Sequence, residues 1–220
     1  MMLSLRDVTA SIARTTILNG VSLDVAGGQT AGLVGRNGAG KTTLMRAIMG
    51  LLAISRGEIR LDDHELTRMP PHQRAGIAVG YMPEDRRLVP NFTVKENILL
   101  PLWATGRGPD QNRLDWVFEL MPEIAGSAER KAVTLSGGQQ KLVALGRALI
   151  CGKRLLLLDE PFEGVAPALA RRLAEVIADL QSEGVTVVLS ESDYTHSVGL
   201  LNRLFVIERG VVEERDLTVA

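Results

Sequence analysis

The stretch TAGLVGRNGAGKTT, residues 30–43, decides the fold. Thr30 to Val34 run apolar and straight into a glycine-rich loop, the pattern of a strand buried on both faces. Beyond the loop, Leu44, Ala47, Ile48, Leu51 and Leu52 recur at helical spacing. A buried strand, a glycine loop and a helix in that order predict an α/β fold with a mainly parallel sheet.

GRNGAGKT fills every fixed position of the phosphate-loop pattern G-x-x-x-x-G-K-[ST]. Gly35, Gly38 and Gly40 let the backbone approach closely, so that the N–H groups of the loop, Arg36, Asn37 and Ala39 included, face phosphate oxygens. Lys41 supplies a point charge for the β- and γ-phosphates, the Thr42 hydroxyl is a ligand for Mg²⁺, and Thr43 reaches the α-phosphate. A glycine-rich turn could exist without a ligand, but the strand before it and the helix after it favour a bound phosphate.

Such a loop needs a second anchor for the metal, and LLLLDEP at 155–161 offers one. Four leucines predict a doubly buried strand, and Asp159 emerges at its C-terminal end, the edge where open α/β sheets bind ligands. Asp159 would hold Mg²⁺ directly or through water. Glu160, one residue beyond, is placed to orient or deprotonate an attacking water.

Working outward, residues 3–9 (LSLRDVT) and 21–25 (VSLDV) alternate like half-exposed strands and predict an antiparallel edge at the N-terminus. GEIRL (57–61), IAVGY (77–81) and VTVVLS (185–190) read as further strands. Leu169, Leu173, Val176, Ile177 and Leu180 share one helical face. LFVIE and VVEE flank Arg209-Gly210 as a hairpin. Between about 85 and 134 the texture changes: Pro90, Pro101, Pro109 and Pro122 punctuate helical pieces at 94–100 and 112–120. This predicts one domain, with residues 1–84 and 135–220 as its catalytic core and 85–134 as an inserted helical subdomain.

The chain has 220 residues, 45% hydrophobic and 23% charged, enough for a buried core and too apolar for disorder. A net charge of −1 argues against nucleic acid as a partner. One cysteine, Cys151, excludes a disulfide framework and a thiolate metal cluster and reads as a small buried hydrophobe. Arg6 and Asp7 come too early for a signal peptide, and no apolar run approaches a membrane span. The expectation is a soluble, cytoplasmic protein whose link to a membrane runs through a partner. His64 and His72 fall in a polar segment and receive no role.

TLSGGQQKL, residues 134–142, opens a second predicted helix whose first N–H groups form another anion seat, this one without a cation. Taken alone it reads as a serine-capped helix. Together, GRNGAGKTT, LSGGQQ and LLLLDEP in this order resemble the nucleotide-binding subunit of an ABC transporter, over almost the whole chain. The resemblance implies a P-loop NTPase fold binding ATP and Mg²⁺. It also implies head-to-tail pairing with a second ATP-binding subunit, as a homo- or heterodimer. Ser136, Gly137, Gly138 and Gln139 of one chain would then cap the γ-phosphate held by Lys41 of the other. A helix N-terminus carries about half a positive charge, which suits an anion already neutralised by Lys and Mg²⁺.

YMPEDRRLVPNFTVKENILL (81–100), GQQKLVALGRALI and EPFEGVAP are similar to the branch that drives uptake of branched-chain and other hydrophobic amino acids, the LivF-like ATPases. That implies membrane permease subunits, a periplasmic solute-binding protein reached indirectly, and a place on the cytoplasmic face of the inner membrane. The permease would contact the surface around Glu84 to Asn97. Four positions depart from the wider family pattern. Glu84 stands where a glutamine would touch Mg²⁺ and water, and Ile12 where an aromatic would stack on adenine. Ala166 stands in a loop that elsewhere carries aspartate, and Ser192 in the slot of a histidine that reaches the γ-phosphate. Glu84 and Ala166 are habits of this branch as well. Serine lacks the charge and reach of an imidazole, and His196, one turn onward, reads as a surface residue. The alternative function is a dimerising, nucleotide-binding module of weak hydrolysis, completed by a partner ATPase subunit.

Overall fold

A computed structural model describes residues 2–217. β1 (Leu3–Ile12) and β2 (Thr15–Val25) pair antiparallel; alternation turns Leu3, Leu5 and Leu23 into the core, and an irregularity at Asp7 (φ 51) shifts the register so that Val8 joins them. β3 (Thr30–Val34), buried along its whole length, leads through the glycine loop into α1 (Lys41–Met49). β4 (Arg56–Leu61) and the short β5 (His64–Glu65) extend the first sheet to the order β2-β1-β4-β5. After α2 (Pro71–Gly76) comes β6 (Val79–Met82). Three helices follow: α3 (Val94–Ala104), α4 (Gln111–Leu120) and α5 (Pro122–Ala125). A 3-10 turn at Ala132–Thr134 then precedes α6 (Gly137–Cys151).

The chain closes with β7 (Leu155–Asp159), α7 (Pro167–Ser182), β8 (Thr186–Glu191), β9 (Arg203–Glu208) and β10 (Val211–Arg215). The second sheet runs β10-β9-β3-β8-β7-β6, parallel except for β10. Its register aligns the chemistry: Val34 pairs with Glu191 and Asp159 with Ser190, so the glycine loop and the LLLLD carboxylate leave the sheet at one edge. The β9–β10 turn uses Arg209 at φ 48 and Gly210 at φ 78. A Cβ on Gly210 would lie 1.9 Å from the Ile17 carbonyl, so that turn requires glycine for space as well as for φ.

Three expectations are corrected. α1 stops at Met49, so Leu51 and Leu52 lie beyond it and Leu51 is 44% exposed. Gly50 adopts the left-handed conformation (φ 77) that ends helices at low cost, and buried Arg74 donates to the carbonyls of Ala47 and Ile48 at the same end. The strand expected at 77–81 begins at Val79, because Ile77 caps α2 and Ala78 takes φ 72. Ala170, rather than half-buried Leu169, completes the core face of α7. Cys151 is buried as expected, and burial pushes its thiol up to about 11. Among the described residues no helix is long and apolar enough to cross a membrane.

Candidate functional site

The glycine loop curls because Gly38 (φ 81) and Gly40 (φ 117) take backbone conformations that side chains resist. Gly35 is needed for a different reason: a Cβ there would sit 2.3 Å from the Ile207 carbonyl on β9. Gly40 caps α1 with no side-chain hydrogen bond, so the first N–H groups of α1 remain available to an anion. Asn37, Gly38, Gly40, Lys41, Thr42, Thr43, Glu84, Glu160 and Ile17 line a cavity of about 460 Å³ over this loop.

Lys41 is 5% exposed, and its ammonium bonds the carbonyls of Gly35 and Arg36. It lies 3.0 Å from Glu160 Oε1, an ion pair buried on both sides, and 3.1 Å from Ser192 Oγ. The Ser192 hydroxyl lies 2.9 Å from Glu160 Oε1 and 2.8 Å from Asn37 Oδ1, and its backbone N–H donates to Glu160 Oε2. Short as it is, Ser192 therefore reaches the phosphate loop, because β8 ends level with β3. What it does not bring is charge.

Thr42 Oγ1 donates to Asp159 Oδ1 at 3.2 Å, and Ser190 and Tyr81 hydroxyls donate to the same carboxylate at 2.5 and 3.3 Å. Asp159 is fully buried; burial raises its pKa and the three hydroxyl bonds oppose that. Burial likewise raises Tyr81, with Asp159 beside it adding to the shift. A buried carboxylate next to a threonine hydroxyl is a hard-oxygen pair suited to Mg²⁺. Among the described residues no three His, Cys, Asp or Glu side chains gather as a metal cage.

Glu84 joins the phosphate cavity to a second one of about 490 Å³, whose lining also includes Thr42, Arg46, Tyr81, Leu100 and Asp159. Its carboxyl is raised by burial first and then by Glu163, Asp159 and Glu160. Ile12 ends β1, 45% exposed, and does not line the phosphate cavity; Ile17 on β2 does. His196 is exposed and packs against the Phe162 ring, with centroids 6.0 Å apart.

The second helix end is less bare than its sequence suggests. Ser136 accepts from the Gln139 N–H, and Gln139 Oε1 accepts from the Ser136 N–H, a reciprocal capping box that leaves only the leading N–H groups free. Ser136 and Gly137 are exposed. A cation does stand beside it: Arg86 donates to Gly137 O at 3.2 Å and to Gln140 Oε1 at 3.3 Å. Arg147, farther along α6, in turn holds the carbonyls of Arg86 and Arg87, two non-glycine residues at positive φ. Arg86, Arg147, Ser190 and Tyr81 went unnoticed in the sequence. Only Ser190 carried a signal, standing two residues before Ser192, so that the alternation of β8 continued one residue past its end puts both on one side.

Comparison with known proteins gives a consistent result. Residues 18–163 match the family model described as ABC transporter. The chain is 36% identical over 219 residues to the high-affinity branched-chain amino acid transport ATP-binding protein BraG of Pseudomonas aeruginosa, covering 100% of this chain and 94% of that one. It is 32% identical to the lipopolysaccharide export system ATP-binding protein LptB of Acidithiobacillus ferridurans, covering 96% and 88%. Among solved structures, a dimeric post-hydrolysis state of an ATP-binding cassette bound to ADP and Pi superposes with a TM-score of 0.87, 25% identity and 100% coverage of both chains.

Proposed function

This chain belongs to the ABC transporter family and is an ATPase subunit of it, and on that premise we propose that it powers an importer of branched-chain amino acids or related small solutes. One observation carries the catalytic reading: Lys41, Thr42, Asp159 and Glu160 meet at one sheet edge, with Glu160 Oε1 3.0 Å from the Lys41 ammonium. In the proposed site the glycine loop and Lys41 bind the β- and γ-phosphates. Thr42, Asp159 and Glu84 would hold Mg²⁺, which when bound would neutralise phosphate charge. Glu160 accepts a proton from the attacking water. A Lys41 engaged with phosphate releases Glu160 to that water, and Ser192 bonds the same carboxylate oxygen at 2.9 Å. Ser136, Gly137, Gly138 and Gln139 serve the nucleotide of a second subunit.

We take residues 85–134 as an inserted helical subdomain facing the membrane permease, with the 490 Å³ cavity and exposed Trp103 as the apolar part of that surface. Support for import comes from the resemblance of PEDRR and TVKEN to the amino-acid uptake branch and from the relation to BraG. Mg²⁺-dependent ATPase activity should fall at least about a hundredfold in Glu160→Gln, the scale of a lost general base. The same variant should accumulate an ATP-bound dimer in size-exclusion chromatography. Full activity in Glu160→Gln would refute the assignment of Glu160. Import is tested by reconstituting the chain with its permease and binding protein in proteoliposomes and measuring ATP-driven leucine accumulation. Movement in the opposite direction, as in the lipopolysaccharide exporters, would overturn that part alone.

A further inference from the structure

Lys141 lies in α6, just past the Ser136 cap, and is 6% exposed. Burying an ammonium is costly unless it is compensated. Among the described residues Lys141 makes no salt bridge; its ammonium donates instead to two backbone carbonyls, Glu160 O at 2.9 Å and Glu163 O at 2.6 Å. Burial lowers its pKa to about 8, against the opposing pull of Glu163, Glu160 and Glu84 and with the help of Arg86. A solvent-facing lysine would avoid this cost, so its placement calls for a reason.

The reason lies in the segment it grips. Glu160 has φ 49, a left-handed backbone that a side-chain-bearing residue adopts only under constraint. The Glu160 N–H is held from the β8 side by the Ser190 carbonyl at 3.1 Å and the Ser190 hydroxyl at 3.2 Å. From the opposite side the turn is held by Lys141, at its first carbonyl and at the carbonyl three residues later. This grip fixes the peptide from which the Glu160 carboxylate projects toward Lys41.

We propose that Lys141 is a positioning residue for ATP hydrolysis: its two carbonyl bonds hold the left-handed turn that aims Glu160, and they tie that turn to the helix whose exposed end carries Ser136. The inference rests on Glu160 being the hydrolytic base. It also makes one rigid link, a little over one helical turn long, between the seat offered to a neighbour's nucleotide and the base of the chain's own site.

Lys141→Met keeps length and apolar bulk but removes every donor. It should lower kcat about tenfold or more while the KM for ATP, set by the phosphate loop, moves less than about threefold. Lys141→Gln restores two N–H donors without a buried charge and should return kcat to within about threefold of the parent. Thermal denaturation and ATP binding run beside both variants. A Lys141→Met protein with parental kcat overturns the proposal. So does a fall in kcat matched by an equal rise in KM, or one that Lys141→Gln leaves unrelieved, since either marks a merely structural lysine. Glu160→Gln in the same assay separates the two readings. If it is inactive while Lys141→Met is fully active, only the positioning role fails; if Glu160→Gln is itself active, the assignment of Glu160 fails.

Discussion

Along β8 single residues alternate between the site and the interior. Ser190, and Ser192 just past the strand's end, face Asp159 and Lys41, whereas Glu191 points the other way, 2% exposed, accepting from the Ser197 hydroxyl through Oε2 while Oε1 has no hydrogen-bond partner among the described residues. Burial, with Glu160 and Asp193 adding, pushes this carboxyl up to about 7 from 4.5, and the Ser197 bond opposes the shift. Between pH 4.5 and 7 the folded chain therefore keeps a proton that the unfolded chain has released. Stability falls as pH rises through that window, and the loss is complete above it. Glu191→Gln removes the penalty, so it should stabilise on the order of 2–3 kcal/mol at pH 8 and very little at pH 4.5. Paired denaturant titrations at the two pH values measure this; an equal effect at both would contradict it. Residue identities in the phosphate loop were legible because the motif is contiguous and its spacing is set by the backbone. The Lys41–Glu160–Ser192 cluster was legible only as a set of names. Its contacts span long stretches of chain, and nothing local to Ser192 states that it meets Asn37.

At the scale of elements, TVKEN is a helix start with two devices built in. Thr93 and Glu96 form the capping box of α3. Asn97, fully buried, accepts from the Val89 N–H and donates toward the carbonyls of Val89, Phe92 and Thr93, pinning the segment that leads from Glu84 into α3. Asn97→Ala strands these buried groups and should cost about 2–3 kcal/mol, with faster amide exchange concentrated over residues 88–93. Unchanged exchange there would refute the pinning. Helix and strand positions were readable wherever one face is buried, as in α7 and β7, because periodicity records burial directly. Ends were less readable. Gly50 stopped α1 where the apolar spacing would have carried it on, and Ala78 delayed β6 by taking a left-handed φ. Gly80 illustrates a constraint between elements: a Cβ on it would lie 2.1 Å from the Ala148 carbonyl, so β6 meets α6 too closely for any other residue.

At the scale of the whole molecule, Ser136 caps the start of α6 exposed, while Lys41 is buried at the start of α1. Head-to-tail pairing makes a sharp prediction. Lys41→Ala and Ser136→Phe should each be inactive as homodimers. Mixed, they form a heterodimer in which one site carries both lesions and the other carries neither, so ATPase activity should reappear and peak near equal proportions. No gain on mixing would exclude a site shared between chains. Arg86 and Arg147 belong to the same scale, since they bind the loop after Glu84 to the helix bearing Ser136. A displacement at the proposed permease surface would thereby be felt at the nucleotide of the neighbour.

The sequence alone determined the phosphate loop, the buried strands, the order of the motifs and the family, because each depends on residues close together in the chain or on a periodicity that burial imposes. Tertiary structure decided the rest. It showed that Ser192 reaches Lys41 and that Ile17, not Ile12, lines the cavity. It also placed Arg86 beside the seemingly uncharged helix end and Lys141 beneath the turn of Glu160. Each of these joins residues far apart in sequence through a distance set by strand register and helix packing, and such distances exist only once the sheet has formed.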